Sequence, residues 1–370
     1  MADCLGMFPW GVIPMKKVLG AAILLGTAMS MMHAAAQAPA AAPATPQEPT
    51  WAYAIPPAPP PGSPPPAPVM DDGKMLTLQG SEKQFTFNQV RGRLNNETPT
   101  RIAPADWFPG DHPNMPKLVA EGDNARGIIA CSLCHYPNGK GRAENASPQG
   151  LNKEYMVRTM QNMKNDLRAS SERRKNNTQV MVGFTKAMTD AEIEETAAYF
   201  ASMTWTPWIK VVESDTAPKV RSQAGLWVPL EGANAGTEPL GNRIVETPEN
   251  AQQTEVLRNP RGMFIAYVPR GSVAKGKALA TTGGGKTTAC TVCHGDDLNG
   301  VGSVPALAAR SPRYLARQIN DFRQGARKGD MNEIMRAVAV KLNNDDILNL
   351  AAYTASLPAP STGAPGTAAR

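Results

Sequence analysis

The residues of this chain whose type and spacing can do chemistry are its five cysteines and four histidines. Four cysteines and two histidines fall in two matching runs, Cys131-Ser132-Leu133-Cys134-His135 and Cys290-Thr291-Val292-Cys293-His294. Thiols at i and i+3 face one side of a helical turn, where both can add to vinyl groups of a single porphyrin. The imidazole that follows is then aimed at the iron. A four-cysteine zinc site or two redox dithiols would use the same thiols but would leave both histidines unexplained. The pattern therefore predicts two haem c groups, held by Cys131, Cys134, Cys290 and Cys293 and ligated by His135 and His294.

The remaining residues constrain the other side of each iron. Cys4 and His33 lie in a segment expected to be removed, so no cysteine is left for a disulfide and only His112 is spare. Two haems cannot then both carry a second histidine, and the 18 methionines are the obvious supply. His112 stands between Asp111 and Pro113, where a hydrogen-bonded loop histidine is commoner than a ligand.

The two motifs sit in an internal repeat. Gly122 to Gly127 is matched to Gly271 to Gly276, Glu154-Tyr155-Met156-Val157-Arg158 to Arg313-Tyr314-Leu315-Ala316-Arg317, and Ala197-Ala198-Tyr199 to Ala351-Ala352-Tyr353. Cys131 and Tyr155 lie 159 residues before Cys290 and Tyr314, whereas Ile193 and Tyr199 lie 154 before Ile347 and Tyr353. The first copy thus carries a five-residue insertion, placed at Ser170 to Asn177. Ile193, Ala197 and Phe200 recur at helical spacing, as do Ile347, Ala351 and Thr354. Thr189 with Glu192 makes a capping box, and Ser311-Pro312 opens a helix with proline at its first position. Each copy reads as about three helices around one haem, in a domain whose core the porphyrin completes.

Register points to the distal ligands. Met181 lies seven residues before Met188, and Met335 seven before Leu342, the position equivalent to Met188. Both are expected in a loop ahead of the closing helix, with Met188 and Met331 as second choices. A thioether stabilises ferrous iron and closes the site to substrate. Ordinary core packing is the competing role for any methionine. Pro148 and Pro305 follow the motifs where their carbonyls can accept from the Nδ1 atoms of His135 and His294, with plain loop prolines as the competing reading. Gly283-Gly284-Gly285-Lys286-Thr287 imitates the end of a phosphate loop, but no strand precedes it and Ala280 replaces the first glycine.

Flanking composition sets the organisation. Residues 1–36 read as a signal peptide: Lys16-Lys17, an apolar run to Met32, and Ala34-Ala35-Ala36 as the cleavage site, with Met15 as the true start. The expected location is periplasmic. Residues 37–69 are a spacer dominated by alanine and proline that favours extended polyproline conformation. Residues 70–114 form an extension with strands at Leu76-Thr77-Leu78 and Phe85-Thr86-Phe87, packed over the first haem domain. The haem domains are 115–205 and 269–358. Between them, 206–268 carries short strands at Ile209 to Val212, Leu226 to Val228 and Met263 to Val268. Residues 359–370 are a tail.

With the C-x-x-C-H pairs, the Tyr-x-x-Arg helices, the Arg323 to Arg327 stretch and the closing Ala-Ala-Tyr helices in view, the chain resembles the periplasmic two-haem cytochromes c, with tandem class I domains. The resemblance covers about 115–205 and 269–358. It implies a mainly α fold with irregular and β-containing segments added, His/Met ligation, and haems facing one another across a pseudo-twofold interface. The formal charge of +6 falls to +5 when Lys16, Lys17 and Asp3 leave with the signal peptide. Arg310, Arg313, Arg317, Arg323, Arg327 and Lys328 read as a solvated basic helix face that pairs with haem propionates or steers an acidic partner. The expected function is electron carriage between a dehydrogenase or respiratory donor and a terminal acceptor, without catalysis of its own. Partners are redox proteins, association with a membrane complex is compatible, and nucleic acid is not expected. The alternative is a haem enzyme, such as a two-haem peroxidase, which would need one open iron site and would break the symmetry of the repeat.

Overall fold

The computed structural model describes residues 48–63, 71–92, 101–329 and 331–359. The expected signal peptide, with Cys4 and His33, lies outside the described residues, as does the tail from residue 360. Among the described residues, no helix is long and apolar enough to cross a membrane.

The chain enters through a short strap, Glu48 to Ile55. Here the structure corrects the sequence reading, which placed these residues in an extended spacer. Ala52, Tyr53 and Ala54 are buried, and the first two join the core of the second haem unit. The strap pairs with the interdomain segment through an Ala54–Gly225 bridge, and Ser222 Oγ donates to Ala54 O at 2.6 Å. A Trp-Ala-Tyr-Ala-Ile run has too much apolar surface to leave in water.

The extension forms an antiparallel pair, Leu76–Thr77 with Gln84–Phe85, then helix α1, Phe87–Arg91, capped by Thr86 and Gln89. Its small core of Leu78, Val90, Trp107 and Phe108 closes against Leu257 of the interdomain segment.

Unit 1 contains α2 (Lys117–Ala120), α3 (Cys131–His135), α4 (Lys153–Lys164), α5 (Asn176–Ala187) and α6 (Asp190–Ala201). Unit 2 contains α7 (Ser272–Thr282), α8 (Thr291–His294), α9 (Pro312–Arg323), α10 (Asn332–Ala339) and α11 (Asn344–Ser356). Each unit is therefore five helices, of which α2, α3 and α8, at four or five residues, are too short to be visible as periodicity. The starts conform to their sequence signals. Thr189 and Glu192 cap α6 reciprocally, Asn343 and Asp346 do the same for α11, and Ser311 accepts from Tyr314 N ahead of Pro312.

The repeat holds from the haem motif onwards and fails before it. Gly271 to Gly276 leads into α7, which packs along α11 so closely that a Cβ on Gly276 would lie 2.6 Å from Tyr353 Cβ. Gly122 to Gly127 instead forms a tight hairpin, Gly122–Asp123 with Ile128–Ile129, behind the four-residue α2. The glycine match was coincidence of composition, not equivalence of structure.

The units meet face to face. Ala169 N donates to Ala326 O at 2.9 Å, and Lys328 N donates to Leu167 O at 2.6 Å. A shift of 159 residues exchanges these two bonds, which is what a local twofold requires. Arg168 reaches the Tyr314 hydroxyl at 3.5 Å, and its mate Arg327 bonds Tyr155.

The interdomain segment packs against both units. A three-stranded sheet, in the order Val245–Pro248, Phe264–Val268, Ile209–Glu213, lays Ala266, Val268 and Val211 on the unit 2 core. Trp208, Leu226, Val228 and Phe264 form a second core that touches Ala143 of unit 1 and Ala309 of unit 2.

Candidate haem-binding sites

Helix α3 is one turn long and turns its thiols and imidazole into a cavity walled by α4, α5 and α6 of unit 1. Cys131, Cys134 and His135 line it, with Leu151, Phe184, Ala197 and Phe200 as its apolar wall. His135 Nδ1 is 2.8 Å from Ala146 O. In unit 2, His294 Nδ1 is 2.8 Å from Pro305 O. Each acceptor lies eleven residues after its histidine. Pro305 is the expected partner, but Pro148 is not: it lies thirteen residues on, and the equal offset selects Ala146. With Nδ1 engaged as donor, Nε2 keeps its lone pair, the form a metal ligand needs. Burial pushes the pKa of both imidazoles down, which keeps them neutral. Burial also pushes Cys131 up to about 12 and Cys290 to about 11.

Met181 and Met188 both line the unit 1 cavity, along with Met156, Met160 and Met163. Met181 lies within α5 and Met335 within α10, not in loops as expected. Both are half-buried. Seven residues on, Met188 and Leu342 are equally buried at the starts of the closing helices, so the two halves share this register. Met331 is exposed, at a left-handed φ of 64°. His112 is away from the cavity. Its Nε2 pairs with Asp106 at 3.2 Å and its Nδ1 with Pro113 O at 2.9 Å.

The cavity fits a haem in its polar end as well. Arg168 and Lys175 of unit 1 and Tyr314, Arg317 and Gln318 of unit 2 line it. Arg168 Nη1 and Arg317 Nε are buried without a hydrogen-bond partner. Buried guanidinium donors left open are costly, and the two carboxylates of a haem are the chemistry they lack. Burial, with Arg317 nearby, pushes Lys175 down to about 7. Among the described residues, no group of three or more His, Cys, Asp or Glu is placed to hold a metal ion, so the four motif cysteines do not gather into a zinc site.

The basic cluster in and around α9 is also corrected. Arg310, Arg313, Arg317, Arg323 and Arg327 are buried, and only Lys328 of the six is exposed. Arg310 donates to Ser147 O at 2.6 Å and stacks on Trp205, 4.0 Å from the ring centre. Arg317 bridges Ala52 O of the strap at 2.9 Å and Ala143 O of unit 1 at 2.8 Å. Arg310, Arg317 and Arg327 are inter-unit ties, whereas Arg313 reaches Gly225 O of the interdomain segment and Arg323 bonds Leu342 O and Asn344 within unit 2. Composition alone cannot separate such ties from a solvated face. The apolar neighbours Leu315, Ala316 and Phe322 gave α9 one buried side, but not that it is buried nearly all round.

Sequence reasoning missed the roof over the unit 1 attachment turn. A π-helical turn, Gln252–Val256, and the residues to Pro260 lie across it. Glu255 accepts from Arg142 at 2.6 Å and from Arg91 at 3.2 Å, and Arg142 also pairs with Glu144. Arg258 donates to Leu133 O at 2.9 Å, Tyr136 to Thr254 O at 3.3 Å, and Asn138 to Pro260 O at 2.9 Å. The signal available was a Glu-x-x-Arg in a polar stretch, too short and too common to read.

Comparison with known proteins completes the picture. The family model described as cytochrome c matches residues 119–204 and 273–358. Cytochrome c-554(548) of Halomonas halodenitrificans is 37% identical over 78 residues, 94% of its own length and 21% of this chain. Cytochrome c4 of Azotobacter vinelandii is 29% identical over 248 residues, covering 64% of this chain and 90% of that protein. The thiosulfate dehydrogenase electron acceptor of Stutzerimonas stutzeri is 23% identical over 250 residues, 67% of this chain and 88% of that protein. The chain belongs to the cytochrome c family, as a protein of two tandem class I domains. It is a dihaem electron-carrier cytochrome, with two covalently bound haem c groups.

Proposed function

We propose that Cys131 and Cys134 hold one haem and Cys290 and Cys293 the other, with His135 and His294 as proximal ligands and Met181 and Met335 as distal ligands. Each bound haem would supply a one-electron Fe(III)/Fe(II) couple. The observation that carries the reading is the identical Nδ1-to-carbonyl geometry at His135 and His294, 2.8 Å in both units and eleven residues apart in both. A histidine held by its Nδ1 and kept neutral by burial presents Nε2 at a fixed angle, which favours a small rearrangement between oxidation states. Met181 and Met335 share one register and close the distal side, which leaves no position for substrate and favours a carrier over an enzyme.

The proposed setting is the periplasm, where c-type haem is attached and where relatives of this kind work. The proposed donor is a dehydrogenase. The relative named as an electron acceptor of thiosulfate dehydrogenase supports a sulfur-compound dehydrogenase as its class, and a further redox protein would take the electrons on. Carbon monoxide tests closure. The oxidised protein should take up two electrons per chain reversibly, and the fully reduced protein should not bind carbon monoxide. Carbon monoxide binding at one haem of the native protein would replace the carrier reading with an enzyme that has one open iron.

A further inference from the structure

The two attachment turns are equivalent in sequence and opposite in surroundings. Leu133 and Val292 occupy the same place in the motif. Leu133 is 8% exposed and Val292 is 72% exposed. Residues 136–144 after the first motif are all buried, whereas among residues 295–303 after the second only Leu298 is. Cys134 is half-buried and its mate Cys293 is exposed. Two layers account for the difference. The roof ties Leu133 O to Arg258, Tyr136 to Thr254 and Arg142 to Glu255. Above it, Trp107 of the extension donates to Leu257 O at 2.6 Å. No segment of the described residues covers the second turn in this way. Val301, 60% exposed, lies beside Gly295 and extends the bare apolar surface next to Val292.

An electron carrier must bring at least one haem edge to the surface, because transfer between proteins needs close approach. The thioethers fix which edge lies at each attachment turn. We propose that external redox proteins exchange electrons with this molecule only at the bare thioether edge of unit 2, around Val292 and Val301. The haem of unit 1 is an internal centre, filled and emptied through the unit interface where Tyr155, Arg168, Tyr314 and Arg327 meet. The occupant that suits the port is a redox protein with an apolar rim around its own cofactor edge and basic residues flanking it, since Val292 and Val301 offer apolar contact area and the exposed carboxylates of Asp296 and Asp297 lie beside them. This inference rests on the two-haem reading above.

Stopped-flow oxidation of the full, haem-loaded protein by ferricyanide tests it. Each ferricyanide takes one electron from a ferrous haem and becomes ferrocyanide. A negative charge at the port repels this anion, so Val292→Glu and Val301→Glu should slow the whole absorbance change by about three- to tenfold at low ionic strength, and added salt should abolish the effect. Val292→Lys should accelerate it. Ala198→Glu, on the exposed face of α6 in unit 1, should leave it within about twofold. If half of the amplitude keeps the parent rate in Val292→Glu, unit 1 has its own port and the proposal is wrong. If neither half slows, it is wrong as well. The total amplitude is a separate readout. Fewer than two electrons per chain would refute the two-haem carrier itself, whatever the rates.

Discussion

Units 1 and 2 descend from one repeat but are held together by different means. Unit 2 has its full complement of long helices, with α7 lying on α11 at a contact that only glycine permits. Unit 1 keeps just four residues of the corresponding helix and a hairpin. What it lacks internally is supplied from outside by the extension, the roof and the ties from α9. A small domain with a thin core needs such support, and the two solutions have different consequences. A helix at the back leaves the attachment turn free, whereas a roof buries it. The lesson is that equivalent haem motifs need not be equivalent sites: the added segments, not the motifs, decide which edge meets solvent.

That contrast can be broken most sharply at the mirrored positions Leu133 and Val292. Leu133→Glu places a carboxylate under the roof and should cost about 4 kcal/mol, whereas Val292→Glu should stay within about 0.5 kcal/mol. Thermal melts of the two variants, followed by haem absorbance, make the comparison, and equal losses would show that the roof does not seal unit 1. Arg142→Met removes one partner from the buried pairing with Glu255 and Glu144 and should cost about 3 kcal/mol. Hydrogen exchange should then rise in residues 131–144 and 252–260 and not in unit 2. Gly276→Ala drives α7 away from α11 and should cost about 2 kcal/mol. Its exchange signature should be the reverse, confined to unit 2. The smallest effect is at the α6 cap. Arg126 and the Thr189 backbone hold the carboxyl of Glu192 down at about 2. Its contribution is fully present above the ordinary glutamate value of 4.5 and is lost as the pH falls towards 2. The pair lies at the surface, where solvent screens it, so Glu192→Gln should cost under about 1 kcal/mol near neutrality, and less in high salt.

What was legible in the sequence was whatever local chemistry dictates. Two thiols and a histidine in five residues specify a haem turn, and Thr189, Ser311 and Pro312 specify helix starts, because in each case the determining partners are within a few residues. Tertiary partners were not legible. Trp51 to Ile55 was hidden by its proline-rich neighbours, although two aromatics in five residues contradict a passive spacer. The arginines in and around α9 suggest a solvated face, because charge favours water. Their partners Ser147 O, Ala143 O and Ala52 O lie between 163 and 265 residues away. Ala146 is legible once the geometry of one unit is known: the offset of eleven from His294 to Pro305, applied to His135, names it.

The most direct test of the central claim is the near-infrared charge-transfer band of methionine-ligated ferric haem, recorded on the oxidised protein and normalised per haem. Two closed His/Met sites predict full intensity for two haems, with half of it lost in Met181→Ala and half in Met335→Ala. A native band worth one haem, or a band untouched by Met181→Ala and abolished in its place by Met188→Ala, would contradict the assignment of the ligands and the symmetry on which it rests.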